Sequence, residues 1–296
     1  MSTHELKHLI SDAPRVMVVD GSKLVRKLIS DVLQRELPDV EVVGCAGIEE
    51  ARAALAAGPV HLVTTSLALP DGDGLALARS VRVAARALGR AGLVHAYGHC
   101  SARIDATSFL VAPSRPLGLV RPGERCTVVP LDGDLPEGVL PEVRIHREIY
   151  RRRPDVGGVA RIQPPKLMSL SVLGRTPLAR HGFGAYFHPQ PPLWDDPLLL
   201  RSDVQARRLA EQLGDARAIV MRGNGAVTAG QSLQAAVVLA WYLEDAARVE
   251  LDCLSAAAHT LPTCLSDEQS AVRATWDGRL LERMWDYLTA GDAELD

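Results

Sequence analysis

The residues best suited to chemistry are a carboxylate and an imidazole four positions apart, Glu142 and His146, in Pro141-Glu-Val-Arg-Ile-His-Arg-Glu-Ile-Tyr150. Side chains at that spacing share one helix face and point the same way. Each has a second reading: a carboxylate just inside a helix start also caps the free amides there, and His146 can satisfy a neighbouring loop. Two Gly-bearing stretches add further polar groups: residues 157–165, Gly-Gly-Val-Ala-Arg-Ile-Gln-Pro-Pro, and residues 222–230, Arg-Gly-Asn-Gly-Ala-Val-Thr-Ala-Gly. Arg161 carries a permanent charge that can grip a carboxylate or enolate in bidentate fashion and stabilise developing negative charge. Gln163 and Asn224 offer amide hydrogen bonds beside it. Alternatively Arg161 pairs internally with Glu142, because a buried charge needs a partner. His181, in Arg180-His-Gly-Phe-Gly184, is another candidate, or a structural histidine of a Gly-rich loop.

The elements that must position these groups are legible as periodicity. Arg15–Val19 reads as a buried strand ending at Asp20-Gly-Ser22, a helix N-cap. Leu24, Val25, Leu28, Ile29, Val32 and Leu33 then line one helix face. Strands at 40–43 and 60–65 alternate with helices at 49–57 and 75–88, and Leu69-Pro-Asp-Gly-Asp-Gly74 makes a tight turn, so this part predicts a parallel sheet. Further along, strands fall at 109–112, 126–130, 156–162 and 218–222. Helices fall at 142–152, from about 166, and at 232–251. From Ser266 a polar-faced helix carries Trp276, Met284, Trp285 and Tyr287. The organisation expected is 1–82, 83–258, and a helical tail at 259–296.

Residues 83–252 resemble the class II aldolase/adducin family. The motifs are Gly98-His-Cys-Ser-Ala-Arg103, Ala112-Pro-Ser-Arg115, the Glu142–Tyr150 stretch, Arg153-Pro-Asp-Val156, Arg222–Gly230, and Glu244 in the closing helix. The resemblance implies a three-layer α/β/α sandwich around a mixed, mostly antiparallel sheet, and a homotetramer with sites between subunits. It implies that Glu142 is the acid/base carboxylate and that Arg161, Gln163 and Asn224 stand where the family has three zinc-binding histidines. A guanidinium is no metal ligand, and amide oxygens suit hard ions weakly. No metal and no other cofactor is therefore expected. The implied substrate cleft adds Ser101, Arg103, Ser114 and Arg115, with His99 where Asn is usual. That altered phosphate loop argues for a small carboxylated anion over a sugar phosphate. The reading is a lyase performing aldol cleavage or decarboxylation, with Glu142, Arg161 and His146 catalytic. The alternative is a non-catalytic, adducin-like binding or assembly module.

Residues 14–82 resemble a response-regulator receiver, a flavodoxin-like parallel βα fold, through Val-Val-Asp-Gly-Ser-Lys-Leu-Val-Arg-Lys and Leu-Pro-Asp-Gly-Asp-Gly-Leu. It departs from that family where Gly21 follows Asp20 in place of an acidic pair, and where Ser66 occupies the phosphoryl-accepting position. The expectation is a truncated segment that cannot be phosphorylated. Composition narrows the rest. The 296 residues are 47% hydrophobic, with 33 basic and 36 acidic side chains scattered rather than striped, which argues against nucleic-acid binding. No apolar run reaches the ~20 residues of a membrane span. The start of the chain lacks a signal-peptide pattern, and the cysteines at 45, 100, 126, 253 and 264 lack CxxC spacing. A cytoplasmic protein with reduced thiols is expected.

Overall fold

The computed structural model describes residues 14–65, 74–256 and 262–295, so Ser66 and the turn beginning at Leu69 lie outside the described residues. The chain forms two compact units, the first ending at Ala76 and the second running from Leu77. In the first unit β1 (Arg15–Val19) pairs in parallel with β2 (Glu41–Cys45) and β3 (Leu62–Thr65), in the order β2-β1-β3. Between them lie α1 (Lys23–Glu36) and α2 (Ile48–Ala57). Ser22 caps α1, its hydroxyl accepting the Val25 N–H, while Asp20 Oδ1 accepts the Ser22 N–H at 2.7 Å. Asp20 thus acts as a turn residue. Met17, Val19 and Cys45 make a small core. The apolar stripe expected on α1 is only partly covered: Leu24 is 78% and Leu28 63% exposed.

The second unit is built on a seven-stranded sheet, ordered β6-β5-β4-β7-β10-β9-β8. Its strands are β4 (His99–Arg103), β5 (Ser108–Val111), β6 (Thr127–Pro130), β7 (Gly158–Ile162), β8 (Leu193–Trp194), β9 (Ala218–Met221) and β10 (Gly225–Gly230). Every neighbouring pair is antiparallel except β8 and β9. Alternation sends Cys100, Ala102, Ala160 and Ile162 to one face. There they pack with α3 (Gly74–Arg90), α5 (Pro165–Val172) and α7 (Leu233–Ala256). Phe109, Val111, Val159 and Val227 point the other way, against α4 (Arg144–Arg152) and α6 (Asp203–Leu213). The expected three-layer α/β/α sandwich with a mixed, mostly antiparallel sheet is the observed fold.

Four details differ from the sequence reading. The expected boundary at 82/83 falls inside α3. The helix expected from Glu142 begins as a 3-10 turn, Pro141–Val143, with α4 starting at Arg144 and no side-chain cap at either start. β4 and β10, which carry or flank much of the site, are strands that the Gly-rich motifs concealed. The tail is two helices, α8 (Asp267–Arg273) and α9 (Leu280–Thr289), belonging to the second unit. Beyond α9, Asp292 and Glu294 receive a row of guanidinium groups from α3: Arg86 and Arg90 on Asp292 (2.6 and 2.9 Å), Arg82 and Arg86 on Glu294 (2.5 and 2.8 Å). No helix among the described residues is long and apolar enough to cross a membrane.

Candidate functional site

The antiparallel pairing of β4 with β7 sets His99 directly opposite Arg161 and Ser101 opposite Val159. Opposed residues share a sheet face, as do residues two apart on one strand. His99, Ser101 and Arg161 therefore all project toward α4, which presents His146 and, one turn on, Tyr150. The 3-10 turn before α4 brings Glu142 to the same place, and the hairpin between β9 and β10 brings Asn224.

Arg161 is 1% exposed at the centre of this arrangement. Its Nη1 donates to Ile162 O (2.8 Å) and its Nη2 to Asn224 Oδ1 (2.9 Å). Its Nε lies 3.4 Å from Glu142 Oε2. Burial pulls the guanidinium pKa down and Glu142 opposes the shift. The internal ion pair anticipated as one alternative is thus present, yet it leaves groups over. Arg161 Nε, Asn224 Nδ2, Glu142 Oε1 and His99 Nε2 are each buried without a hydrogen bond in the protein. Native buried polar atoms rarely stay unpaired, so a cluster of four calls for hydrogen-bond partners, from ordered water or a bound ligand. Gly225 makes room for the guanidinium. Its φ is +86°, and a Cβ there would sit 2.0 Å from Ile162 O and 3.0 Å from Arg161 Nη1.

Behind the cluster runs a hydrogen-bonded chain. His99 Nδ1 is 2.8 Å from His146 Nε2, and His146 Nδ1 is 2.6 Å from Ser101 Oγ. Ser101 Oγ is 3.0 Å from Tyr150 Oη, and the Tyr150 hydroxyl also lies 2.9 Å from Ser101 O, to which it can donate. His146 and Ser101 are fully buried. Burial lowers the His146 pKa to about 3, with the Arg161 charge adding to it. Burial, His146 and Arg161 together hold His99 well below the ordinary histidine value. Both rings are neutral.

The remaining candidates divide. Ser114, exposed, lines a cavity of about 10 Å³ with His99, Val111, Thr127 and Val139. That is room for about one water-sized group. Arg103 instead donates to the carbonyls of Val156, Tyr150 and Arg153 (2.8, 2.8 and 2.9 Å) and lies over the Tyr150 ring. It fastens the end of α4, where carbonyls lack helical partners. Ser101 is likewise engaged within the chain of hydrogen bonds. Arg115 pairs with Glu124 (3.2 Å), and Gln163 is held through its backbone N–H on Leu93 O (2.9 Å). His181 stands against α7, 3.7 Å from Asp245, with its pKa lowered by burial. Glu244 accepts the Lys166 and Leu167 N–H groups at the start of α5 (both 2.8 Å). His99, absent from the expected catalytic set, is the group that sequence reasoning passed over; its signal was its departure from the family's Asn. Two larger cavities, of about 490 and 570 Å³, lie beside Tyr186–Pro191 and Gly174–Pro192 and are lined by none of these residues.

The donor set does not suit a divalent metal. Asn224 Oδ1 is taken by a guanidinium, and Arg161 puts a positive charge where an ion's charge would lie. No group of three His, Cys, Asp or Glu side chains able to hold a metal exists among the described residues.

Comparison with known proteins gives this geometry a setting. Residues 79–251 match the family model described as Class II Aldolase and Adducin N-terminal domain. The chain is 27% identical over 205 residues to a 3,4-dihydroxyphthalate decarboxylase of Rhodococcus jostii (strain RHA1), spanning 63% of this chain and 82% of that protein. A solved L-fuculose 1-phosphate aldolase from Glaciozyma antarctica PI12 shares the fold, with a TM-score of 0.62 at 20% identity, over 80% of this chain and 95% of that one. A stretch of 71 residues, 23% of this chain, is 45% identical to a protein-glutamate methylesterase/protein-glutamine glutaminase of Nocardioides sp. (strain ATCC BAA-499 / JS614), of which it covers 19%.

Proposed function

We propose that this chain, which belongs to the family of class II aldolase and adducin N-terminal domains, is a carbon–carbon lyase that uses Arg161 in place of a metal. Its substrate is a small hydroxylated carboxylate, and decarboxylation is favoured over aldol cleavage by the likeness to a 3,4-dihydroxyphthalate decarboxylase. The observation that carries the reading is the set of unpartnered buried atoms: two donors on Arg161 and Asn224, two acceptors on Glu142 and His99. Such a set complements a ligand bearing both an anionic group and a hydroxyl.

Arg161 and Asn224 hold the anionic oxygens and stabilise the charge that grows as the bond breaks. The bond from the carboxyl carbon to its neighbour breaks, carbon dioxide leaves, and the electron pair stays on that neighbour. Glu142, the carboxylate paired with Arg161 and 21% exposed, accepts the proton of the substrate hydroxyl and delivers it to that carbon, and the oxyanion left on the substrate regains a proton from solvent. By family resemblance the active species is a homotetramer. The first unit is read as a receiver-like segment in which Asp20 has a turn role.

Turnover of 3,4-dihydroxyphthalate and related hydroxylated aromatic acids, followed as product formation, tests this. Glu142→Gln and Arg161→Leu should each lower kcat on the order of 100-fold or more with the circular dichroism spectrum unchanged. Chelators should leave the wild-type rate intact. A rate abolished by chelation would defeat the metal-free mechanism. Absence of any wild-type turnover, with retained binding of anionic ligands, would favour the adducin-like binding module, which the ion pair across the narrow cleft would then serve.

A further inference from the structure

The contact between the Tyr150 and Ser101 hydroxyls admits either donor, and the direction in which Tyr150 donates to Ser101 O fixes every link that follows. Tyr150 has a single hydroxyl proton, and it is spent on Ser101 O, a carbonyl that can only accept. The 3.0 Å contact between the two hydroxyls then requires Ser101 to be the donor and Tyr150 the acceptor. With its own proton committed, Ser101 Oγ must accept from His146 Nδ1–H across 2.6 Å. A neutral imidazole carries one N–H, so His146 Nε2 is bare and accepts from His99 Nδ1–H across 2.8 Å. The last atom in the series, His99 Nε2, is left with a lone pair and no proton.

That lone pair faces the cleft without a protein partner, 4.0 Å from Glu142 Oε2. Two acceptors confronting each other at that distance need a donor between them. A cavity of about 10 Å³ that His99 lines together with Leu140 and Val143, on either side of Glu142 in the chain, is the size of one hydroxyl or water. We infer that Tyr150 and Ser101 lock His146 and His99 in the Nδ1–H tautomer, so that His99 Nε2 is the acceptor for a hydroxyl of the substrate. The inference rests on the lyase reading for the identity of the ligand, and on hydrogen-bond geometry alone for the tautomers. Tyr150, Ser101 and His146 are positioning residues, and His99 is the group that touches substrate. The His146 expected to act in catalysis thus works through its neighbour. The depressed pKa values agree, since neither ring gains a second proton near neutrality.

Nitrogen-15 NMR of histidine-labelled full-length protein reads the tautomers directly. Both rings should be neutral at about pH 7 with the proton on Nδ1. An Nε2–H ring or an imidazolium at either position overturns the inference. Tyr150→Phe keeps the ring that packs on Phe109 and under Arg103 but removes the hydroxyl. It should let the Nε2–H form of His146 appear, and an unchanged pattern in the folded variant refutes the locking role. Should Tyr150→Phe fail to fold, Ser101→Ala makes the same test one link later. Affinities for 3,4-dihydroxyphthalate and phthalate, measured by calorimetry, probe the acceptor. The hydroxylated ligand should bind about 10-fold or more tightly, because phthalate leaves the lone pair unpaired. In His99→Phe that ratio should fall to near one, and a preserved ratio refutes the acceptor role. If neither ligand binds and the tautomers are as expected, the lyase reading fails while the locked register stands.

Discussion

Replacing Asp292 by Asn should cost the second unit roughly 2–3 kcal/mol at neutral pH. The Asp292 side chain is fully buried, and burial alone would raise its pKa from the ordinary 3.8. Hydrogen bonds from Arg86 and Arg90 more than reverse this and hold it at about 2. The fall from 3.8 to about 2 corresponds to roughly 2–3 kcal/mol of preference for the ionised form in the folded chain. Asn keeps the shape and one acceptor oxygen, so the loss is electrostatic rather than a cavity. For a unit of this size that is roughly 5–10 °C in melting temperature. Because the folded pKa lies below the unfolded one, the contribution is complete above about pH 4 and drains away as pH falls through about 2. Urea unfolding of wild type and Asp292→Asn at about pH 7, 5 and 3 separates these terms. The gap should be equal at the two higher values and narrower at the lowest. A gap under about 0.5 kcal/mol at neutral pH, within the usual effect of a surface substitution, would refute the argument. A gap unchanged down to about pH 3 would refute it too, by showing that the stabilisation is not tied to ionisation.

Three other outcomes are expected. Gly225→Ala should destabilise the second unit by about 2 kcal/mol or more, since the residue has positive φ and its Cβ would strike Ile162 O; chemical unfolding checks it. Elemental analysis after dialysis against zinc should find no equivalent retained at Arg161, Gln163 and Asn224, and one tightly held equivalent would restore the metal reading. Exposure to acetyl phosphate should leave the first unit unmodified, with intact-mass spectrometry showing no phosphoryl adduct.

The architecture was legible wherever a strand or helix carried its own periodicity. β1 is a run of Val and Met, and α7 repeats apolar positions along its whole length, so both stand out. β4 and β10 did not, because His99-Cys-Ser-Ala-Arg and Gly225-Ala-Val-Thr-Ala-Gly look like loops until their neighbours bury them on both faces. The pairing of Arg161 with Glu142 was foreseen as one of two options, since burying a guanidinium on a central strand demands a counter-charge. The position of His99 opposite Arg161 was out of reach, because strand register is a property of two segments some sixty residues apart. Arg103 shows the converse limit. Its motif placed it in the cleft, but donors and acceptors decide its role, and carbonyls at and just beyond the end of α4 take most of its hydrogen bonds.

Residues that merely filled the space around Arg161 could all be neutral. What stands here is costly, because a guanidinium 1% exposed is among the least favourable groups to bury. It is tolerated because the groups around it serve it. Asn224 supplies the oxygen that receives Nη2, and the Cβ-less Gly225 lets Ile162 O receive Nη1. Glu142 supplies the compensating charge. Arg161 and Asn224 therefore form one hydrogen-bonded unit rather than two independent losses, and either alone would be worse than both. Asn224→Leu should accordingly destabilise the chain more than its own burial warrants, by stranding a charged donor. Arg161→Leu combined with Asn224→Leu should recover part of that loss. A double-mutant cycle in which the two losses simply add would show that the pair is not a unit, and the case for a retained, re-equipped site would go with it.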